Sequence, residues 1–208
     1  MSERRMRPWL ARAVAEAALV VFAVLLALAV DEWREDRAMA RLAERTTESV
    51  AGEIRRNRAE LVEEQAAGTG SPAVLAALDS AIATIRDGGE PKSISANWNV
   101  SLLSSAAWET AQLTRATQHM DLDRVIQLAE VYELQRFFSR NQDELASLIS
   151  DFGARMETEP VVALTQVRSR LAVTAGLRGT LATVYACTLV ELEGPDAVEA
   201  GACPRGEG

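Results

Sequence analysis

Hydrophobic residues along this chain recur at helical spacing, and no segment shows the strict alternation typical of a half-buried strand. The pattern is densest over residues 17–30 (AALVVFAVLLALAV), a run of 14 residues without a charged side chain. Beyond it, a narrower apolar stripe recurs at sums of three and four within a highly charged sequence, at Met39, Leu42, Val50, Ile54 and Leu61. The pattern predicts one helix that passes through the apolar run and continues as a stalk into a folded domain.

A short glycine-containing sequence ends this first helix. In GTGSP, residues 68–72, Ser71 has the position of an N-cap and Pro72 the first position of a second helix, which Gly88 and Gly89 end. A loop is predicted over residues 88–98, because Gly, Pro, Ser and Asn are concentrated there.

Three further helices complete the predicted fold. A short helix surrounds Trp108, and Asp121 caps a long helix whose apolar positions continue to Phe152. Pro160 begins a last helix, which runs past Gly176 and Gly179, glycines that indicate a weak point or a close helix contact. We predict an all-α fold in which an N-terminal transmembrane helix continues into an antiparallel helical bundle over residues 31–193, followed by a disordered tail over residues 194–208.

The apolar run is long enough to cross a membrane only when it is extended back to Trp9, across Arg12 and Glu16. These two charges stand at i and i+4 and can pair with each other, while Trp9 and Trp33 bracket about 36 Å of helix, as aromatic belts do. We predict a transmembrane helix over residues 9–30 after a cytoplasmic tail of residues 1–8. A cleaved signal peptide is the alternative, since Ala27-Leu28-Ala29 has the small-x-small form of a cleavage site.

Charge sets the orientation and the class of partner. Arg4, Arg5 and Arg7 lie close to the membrane in a short tail, which favours an inside N-terminus and a periplasmic domain, although Arg34, Arg37, Arg41 and Arg45 follow the span. The net charge of −8 argues against nucleic acid as a partner. One lysine among 22 basic residues indicates a GC-rich bacterial genome, and therefore the inner membrane of a bacterium.

Two segments carry a resemblance to a known family. The run EAALVVFAVLLALAVDEWRED, with Glu16 at its head and Asp31-Glu32-Trp33 at its end, resembles the N-terminus of a family of uncharacterised bacterial single-span membrane proteins. The segment around Trp108 and Tyr132 is similar to the family's second shared region. The resemblance implies a retained span and a helical domain, and it implies no activity.

Candidate chemistry is sparse. The sequence GTGSPA (68–73) satisfies G-x-G-x-x-A but follows a charged helix instead of a strand, so the dinucleotide-binding geometry is not expected. His119 is the only histidine, and we interpret it as a solvated loop residue instead of a triad member with Asp121 and either Ser104 or Ser105. With Cys187 and Cys203 it forms no recognised metal-ligand spacing. We expect no enzyme activity, catalytic residue, metal or cofactor.

Three groups of residues are candidates for contacts. Trp9, Arg12, Glu16, Asp31 and Trp33 would hold the anchor, with Glu16 either paired to Arg12 or in contact with another membrane helix. A ligand or docking patch is the alternative to core packing for Trp98 and Trp108. Cys187 and Cys203 either form a disulfide or stay free, and the two interpretations have equal support.

Two functions follow from this organisation. In the first, the anchored bundle is an interaction or scaffold subunit whose partners are the lipid bilayer and another membrane or periplasmic protein, or a second copy of the chain. In the second, it is a ligand-sensing or accessory subunit that signals through a membrane partner. A sensor needs an output module, and only eight residues precede the span, so the first interpretation is favoured.

Overall fold

A computed structural model describes residues 6–68, 70–91, 100–199 and 201–204, with side chains from residue 12 onward. Six α-helices form this part of the chain: α1 (Met6–Ala66), α2 (Pro72–Arg86), α3 (Ala106–Leu113), α4 (Leu122–Ser150), α5 (Phe152–Thr158) and α6 (Pro160–Glu193). Short 3-10 helices occupy Ala116–His119 and Pro195–Ala197. The described residues contain no β-strand, and the predicted all-α bundle with a long N-terminal helix is confirmed.

Helix α1 is continuous over 61 residues, a length of about 92 Å at the usual helical rise. Its first buried residue is Ala43, so only the second half belongs to the bundle. In that half Val50, Ile54 and Leu61 are completely buried, which confirms the predicted apolar stripe at these positions. The helix is therefore free of the bundle before residue 39 and a bundle leg after it.

Local sequence explains where the middle helices begin and end. The Ser71 side chain accepts a hydrogen bond from the Val74 amide at the start of α2, and the Asp121 carboxylate accepts two from the first turn of α4. Helix α4 ends at Ser150, and Phe152 begins α5, so the predicted continuation to Phe152 is wrong. The apolar spacing runs through this break because both helices pack apolar side chains against α6, those of α5 only partly buried.

Helix α6 is the central leg, packed against α1, α2, α4 and α5. It is continuous past Gly176 and Gly179, and no atom lies within 4 Å of a Cβ placed at either glycine, so neither marks a close helix contact. One core cluster joins α1, α3, α4 and the second half of α6, and another joins α2, the end of α4 and the first half of α6.

The C-terminal segment differs from the predicted disordered tail. Residues Pro195–Ala197 form a 3-10 helix, and Ala197 and Val198 pack against the first core cluster. Glu199 pairs with Arg58 of α1 over 2.6 Å. The small and polar residues of 194–208 give no sequence signal for these few contacts, which hold the described part of the tail against the bundle.

Candidate functional site

The N-terminal half of α1 presents an apolar surface that none of the described residues of the bundle covers. Every described side chain from residue 12 to residue 38 is exposed. The large apolar side chains from Val14 to Leu28 keep more than half of their surface accessible, as Leu19 (70%), Phe22 (65%) and Leu28 (60%) show. By length and composition, α1 and α6 are both apolar enough to cross a membrane. However, α6 buries Leu181, Tyr185 and Leu189 completely in the bundle core, whereas the apolar part of α1 buries nothing.

The predicted anchor residues bracket this surface. The Arg37 guanidinium carbon lies 4.1 Å from the centre of the exposed Trp33 ring, a cation–π contact at the C-terminal end of the apolar run. Asp31 lines an open groove on the same part of the helix. Arg12 and Glu16 are both exposed, and these two described side chains form no ion pair with each other. The Trp9 side chain lies outside the described residues.

A second feature is a set of buried polar residues along α1, beginning with Glu53, which is 2% exposed. Its carboxylate accepts hydrogen bonds from the Tyr132 hydroxyl (2.7 Å), the Ser104 hydroxyl (2.6 Å) and the Ala107 amide (3.0 Å). Burial raises the pKa of Glu53, but these hydrogen bonds outweigh burial and leave the pKa below its ordinary value. Burial and the Glu53 carboxylate together raise the pKa of Tyr132, which stays a neutral donor.

One helical turn further along α1, Asn57 continues the set. Its side-chain amide donates to the Ser104 carbonyl (2.8 Å) and accepts from the Ser104 amide (3.0 Å). Gln135 of α4 donates to the same carbonyl and accepts from the Tyr185 hydroxyl of α6 (2.6 Å). Burial raises the pKa of Tyr185. These contacts join three helices and the segment before α3.

The third part of this set of buried polar residues is the ion pair between Glu64 of α1 and Arg178 of α6. The two side chains are 4% and 2% exposed, and their charged atoms lie 2.6 Å apart. Burial raises the pKa of Glu64, and the positive charge of Arg178 offsets part of this increase. Burial lowers the pKa of Arg178. Glu64 also accepts from the Ser101 hydroxyl, while Gln142 of α4 exchanges hydrogen bonds with the Ser101 backbone.

We call these residues the polar ladder; its members are Glu53, Asn57, Glu64, Ser101, Ser104, Tyr132, Gln135, Gln142, Arg178 and Tyr185. The ladder holds residues 100–105, which form no regular secondary structure, against α1, since Ser101 and Ser104 bind at three levels of that helix. Buried polar groups with matched partners specify one register of the helices. The ladder therefore explains the bundle's structure, and no reaction is needed to account for it.

The structure describes one of the two tryptophans of the predicted docking patch, Trp108. Trp108 is 2% exposed and stacks on Tyr132 with ring centres 5.5 Å apart, so the interpretation of Trp108 as a surface docking residue is wrong. Core burial of the largest aromatic ring stabilises the fold instead. Trp98 lies outside the described residues.

The remaining candidate groups are assigned as follows. Cys187 of α6 and Cys203 form a disulfide with a Cα–Cα distance of 4.8 Å. His119 ends a 3-10 helix and is exposed, while the Ser104 hydroxyl is engaged by Glu53. Across the described ranges, no group of three or more His, Cys, Asp or Glu residues is placed to hold a metal ion.

The polar ladder was missed in the sequence, although a signal for it exists. Glu53, Asn57 and Glu64 stand at steps of four and seven along the face that also carries Val50, Ile54 and Leu61. These residues are not recognised among the many charged residues of α1, because a Glu in such a helix is typically solvated.

The fold and these two features define a helical-bundle protein with an unpartnered apolar helix at its N-terminal end. Comparison with known protein families, curated proteins and solved structures finds no match to the chain.

Proposed function

We propose that this chain is a single-span protein of the bacterial inner membrane that holds a helical bundle on the periplasmic side, where the bundle is an interaction or scaffold subunit and not an enzyme. The observation that carries the proposal is the uncovered apolar surface over residues 14–30. Such a surface is far larger than a soluble monomer exposes, and a lipid bilayer is the environment that removes it from water.

Continuity of α1 favours a retained anchor over a cleaved signal peptide. The helix runs without a break through Ala27, Leu28 and Ala29, the residues of the alternative cleavage site. A signal peptidase acts on an extended backbone, so cleavage there would require the helix to unwind.

Residues 31–42 form a charged helical stalk between the apolar run and Ala43, the first buried bundle residue. At the helical rise the stalk spans about 18 Å, enough to hold the bundle clear of the lipid headgroups. The disulfide supports the periplasmic side, because disulfides persist in oxidising compartments. A bundle raised above the membrane, with a buried polar ladder beside its apolar core clusters and no described metal site, is suited to presenting helical faces to a partner.

Membrane fractionation of the full chain tests the anchor. We expect the protein to stay in the membrane pellet after carbonate extraction with its N-terminal segment intact by mass spectrometry. Leu19→Arg should shift the protein toward the soluble fraction, since an arginine at the centre of the span costs about 2.5–3.5 kcal/mol of insertion free energy. Ala38→Arg, an exposed stalk position on the same helix, is the matched control and should have no effect.

A soluble protein with a mature N-terminus at Val30 would refute the anchor. The scaffold role is tested by affinity purification from solubilised membranes. We expect a partner protein to co-purify in stoichiometric amount, to be lost when exposed residues of the bundle are substituted, and to be retained when residues of the stalk are substituted. Purification of the chain with neither a partner protein nor a second copy would contradict the scaffold role.

A further inference from the structure

Two charges within the proposed span point to what the anchor binds. Glu16 lies seven residues beyond Trp9, which places its carboxylate about 10 Å along the helix from the first aromatic residue. A carboxylate at that depth faces hydrocarbon unless another group pairs with it. Arg12 stands one turn away and forms no ion pair with Glu16 in the structure. This argument rests on the proposed membrane anchor.

Glu16 also begins a stripe along one side of α1. Val20, Ala23 and Ala27 follow it at steps of four, three and four, the spacing of a helix–helix seam. The two alanines belong to an open surface of α1 that extends to Asp31 and Arg34. Small residues in such a stripe let a second helix approach closely. We call Glu16, Val20, Ala23 and Ala27 the anchor stripe.

We propose that the anchor stripe binds the same stripe of a second copy of this chain, so that the spans form a parallel pair in the membrane. Copies of one chain insert in the same direction, and therefore Arg12 and Glu16 of both copies lie at the same depth. The long arginine side chain of each copy reaches the Glu16 carboxylate of the other, and the two arginines and two glutamates form a neutral set of four charges. A second copy thus supplies the complementary charge that a generic apolar helix lacks.

Cysteine cross-linking in native membranes tests this pairing. Ala23→Cys and Ala27→Cys place a thiol on the anchor stripe, whereas Ala18→Cys and Ala29→Cys make the same substitution on the opposite side of α1. Under mild oxidation, we expect the stripe variants to form the disulfide-linked dimer and the opposite-side variants to give the background of the unsubstituted chain. Equal dimer yields on both sides, or a cross-link to a different protein, would overturn the proposal.

Co-purification of two differently tagged copies tests the role of the charges. Glu16→Leu should lower the recovery of the second copy about five- to thirtyfold, the value of an interhelical polar contact in a membrane. Leu25→Ala on the opposite side is the control and should leave recovery unchanged. Carbonate extraction of the same membranes separates the two hypotheses: chains that stay in the pellet without pairing refute the second copy alone, and soluble chains refute the anchor and the pair together.

Discussion

Tyr132 of α4 donates its hydroxyl hydrogen to the Glu53 carboxylate of α1 over 2.7 Å, and its ring stacks on Trp108 of α3. One side chain thus fixes three helices relative to one another through a directional bond and a flat aromatic contact. Because all three side chains are nearly inaccessible to water, any slip of α4 along α1 would leave a buried carboxylate without its donor.

The Glu53 contacts predict a pH-dependent stability. Glu53→Gln should lower the free energy of unfolding by about 1–3 kcal/mol at pH 7, because the amide cannot accept the same three hydrogen bonds. The pKa of Glu53 is lowered in the fold, so the charged form stabilises the protein above the unfolded pKa of about 4.3 and this stability is lost as pH falls through the folded pKa.

The difference between the original protein and Glu53→Gln should therefore shrink between pH 7 and about pH 3, below the unfolded glutamate value. Urea unfolding of the full chain in detergent, at a series of pH values, measures this difference in the free energy of unfolding. Tyr132→Phe, which removes one donor and keeps the carboxylate, is the matched comparison. A difference that stays constant with pH would show that the charge of Glu53 does not stabilise the fold.

The buried ion pair predicts a non-additive mutant series. Arg178→Ala leaves the Glu64 carboxylate buried without its partner and should cost about 3–5 kcal/mol of unfolding free energy. The double variant Glu64→Leu, Arg178→Met replaces both charges with apolar groups and should recover most of that loss. Arg168→Ala, which breaks the exposed pair with Asp79, is the control and should change stability little. Additive losses in the double variant would be inconsistent with this account.

Gly70 and Gly68 differ in their surroundings, although both have a positive φ, of 70° and 83°. A Cβ at Gly70 would lie 2.9 Å from the Ala175 Cβ of α6, whereas a Cβ at Gly68 would meet nothing within 4 Å. Both alanine variants carry the backbone cost of about 1–2 kcal/mol, and Gly70→Ala adds the clash. We expect a lower thermal midpoint for Gly70→Ala than for Gly68→Ala; equal midpoints would show that α6 moves aside freely.

The disulfide makes stability and orientation measurable together. Cys203→Ser should cost about 3 kcal/mol, as the chain-entropy model gives for a loop of this length, and reduction of the original protein should have the same effect. In intact spheroplasts, a membrane-impermeant thiol reagent should label the chain only after reductant is added. Labelling before reduction would exclude the disulfide, and labelling only after lysis would place the bundle in the cytoplasm.

Sequence alone was sufficient where a local signal defines an element. Ser71 and Pro72 begin α2 as expected, since an N-cap and a first-turn proline act within one helical turn. The end of α4 was misplaced, because Phe152 continues the apolar spacing although the backbone turns at Asp151.

The polar ladder was beyond sequence reasoning for a different reason. Glu53 and Tyr132 are 79 residues apart, and Glu64 and Arg178 are 114 apart. Spacing along one helix shows which residues share a face, but it does not show which face of a distant helix meets them. The burial of Trp108 follows from the same long-range packing.

Because α1 is unbroken, the stalk also fixes the rotation of the bundle relative to the N-terminal half of the helix. Each residue adds about 100° of turn and 1.5 Å of rise, so one residue inserted into residues 31–42 would rotate the whole bundle by more than a quarter turn relative to the N-terminal half of α1. Seven inserted residues would restore the original direction within about 20° and lift the bundle by roughly 10 Å. If α1 crosses the membrane as proposed, the helical phase of the stalk sets the direction in which the bundle faces, and insertions of seven residues change the height of the bundle with little change in that direction.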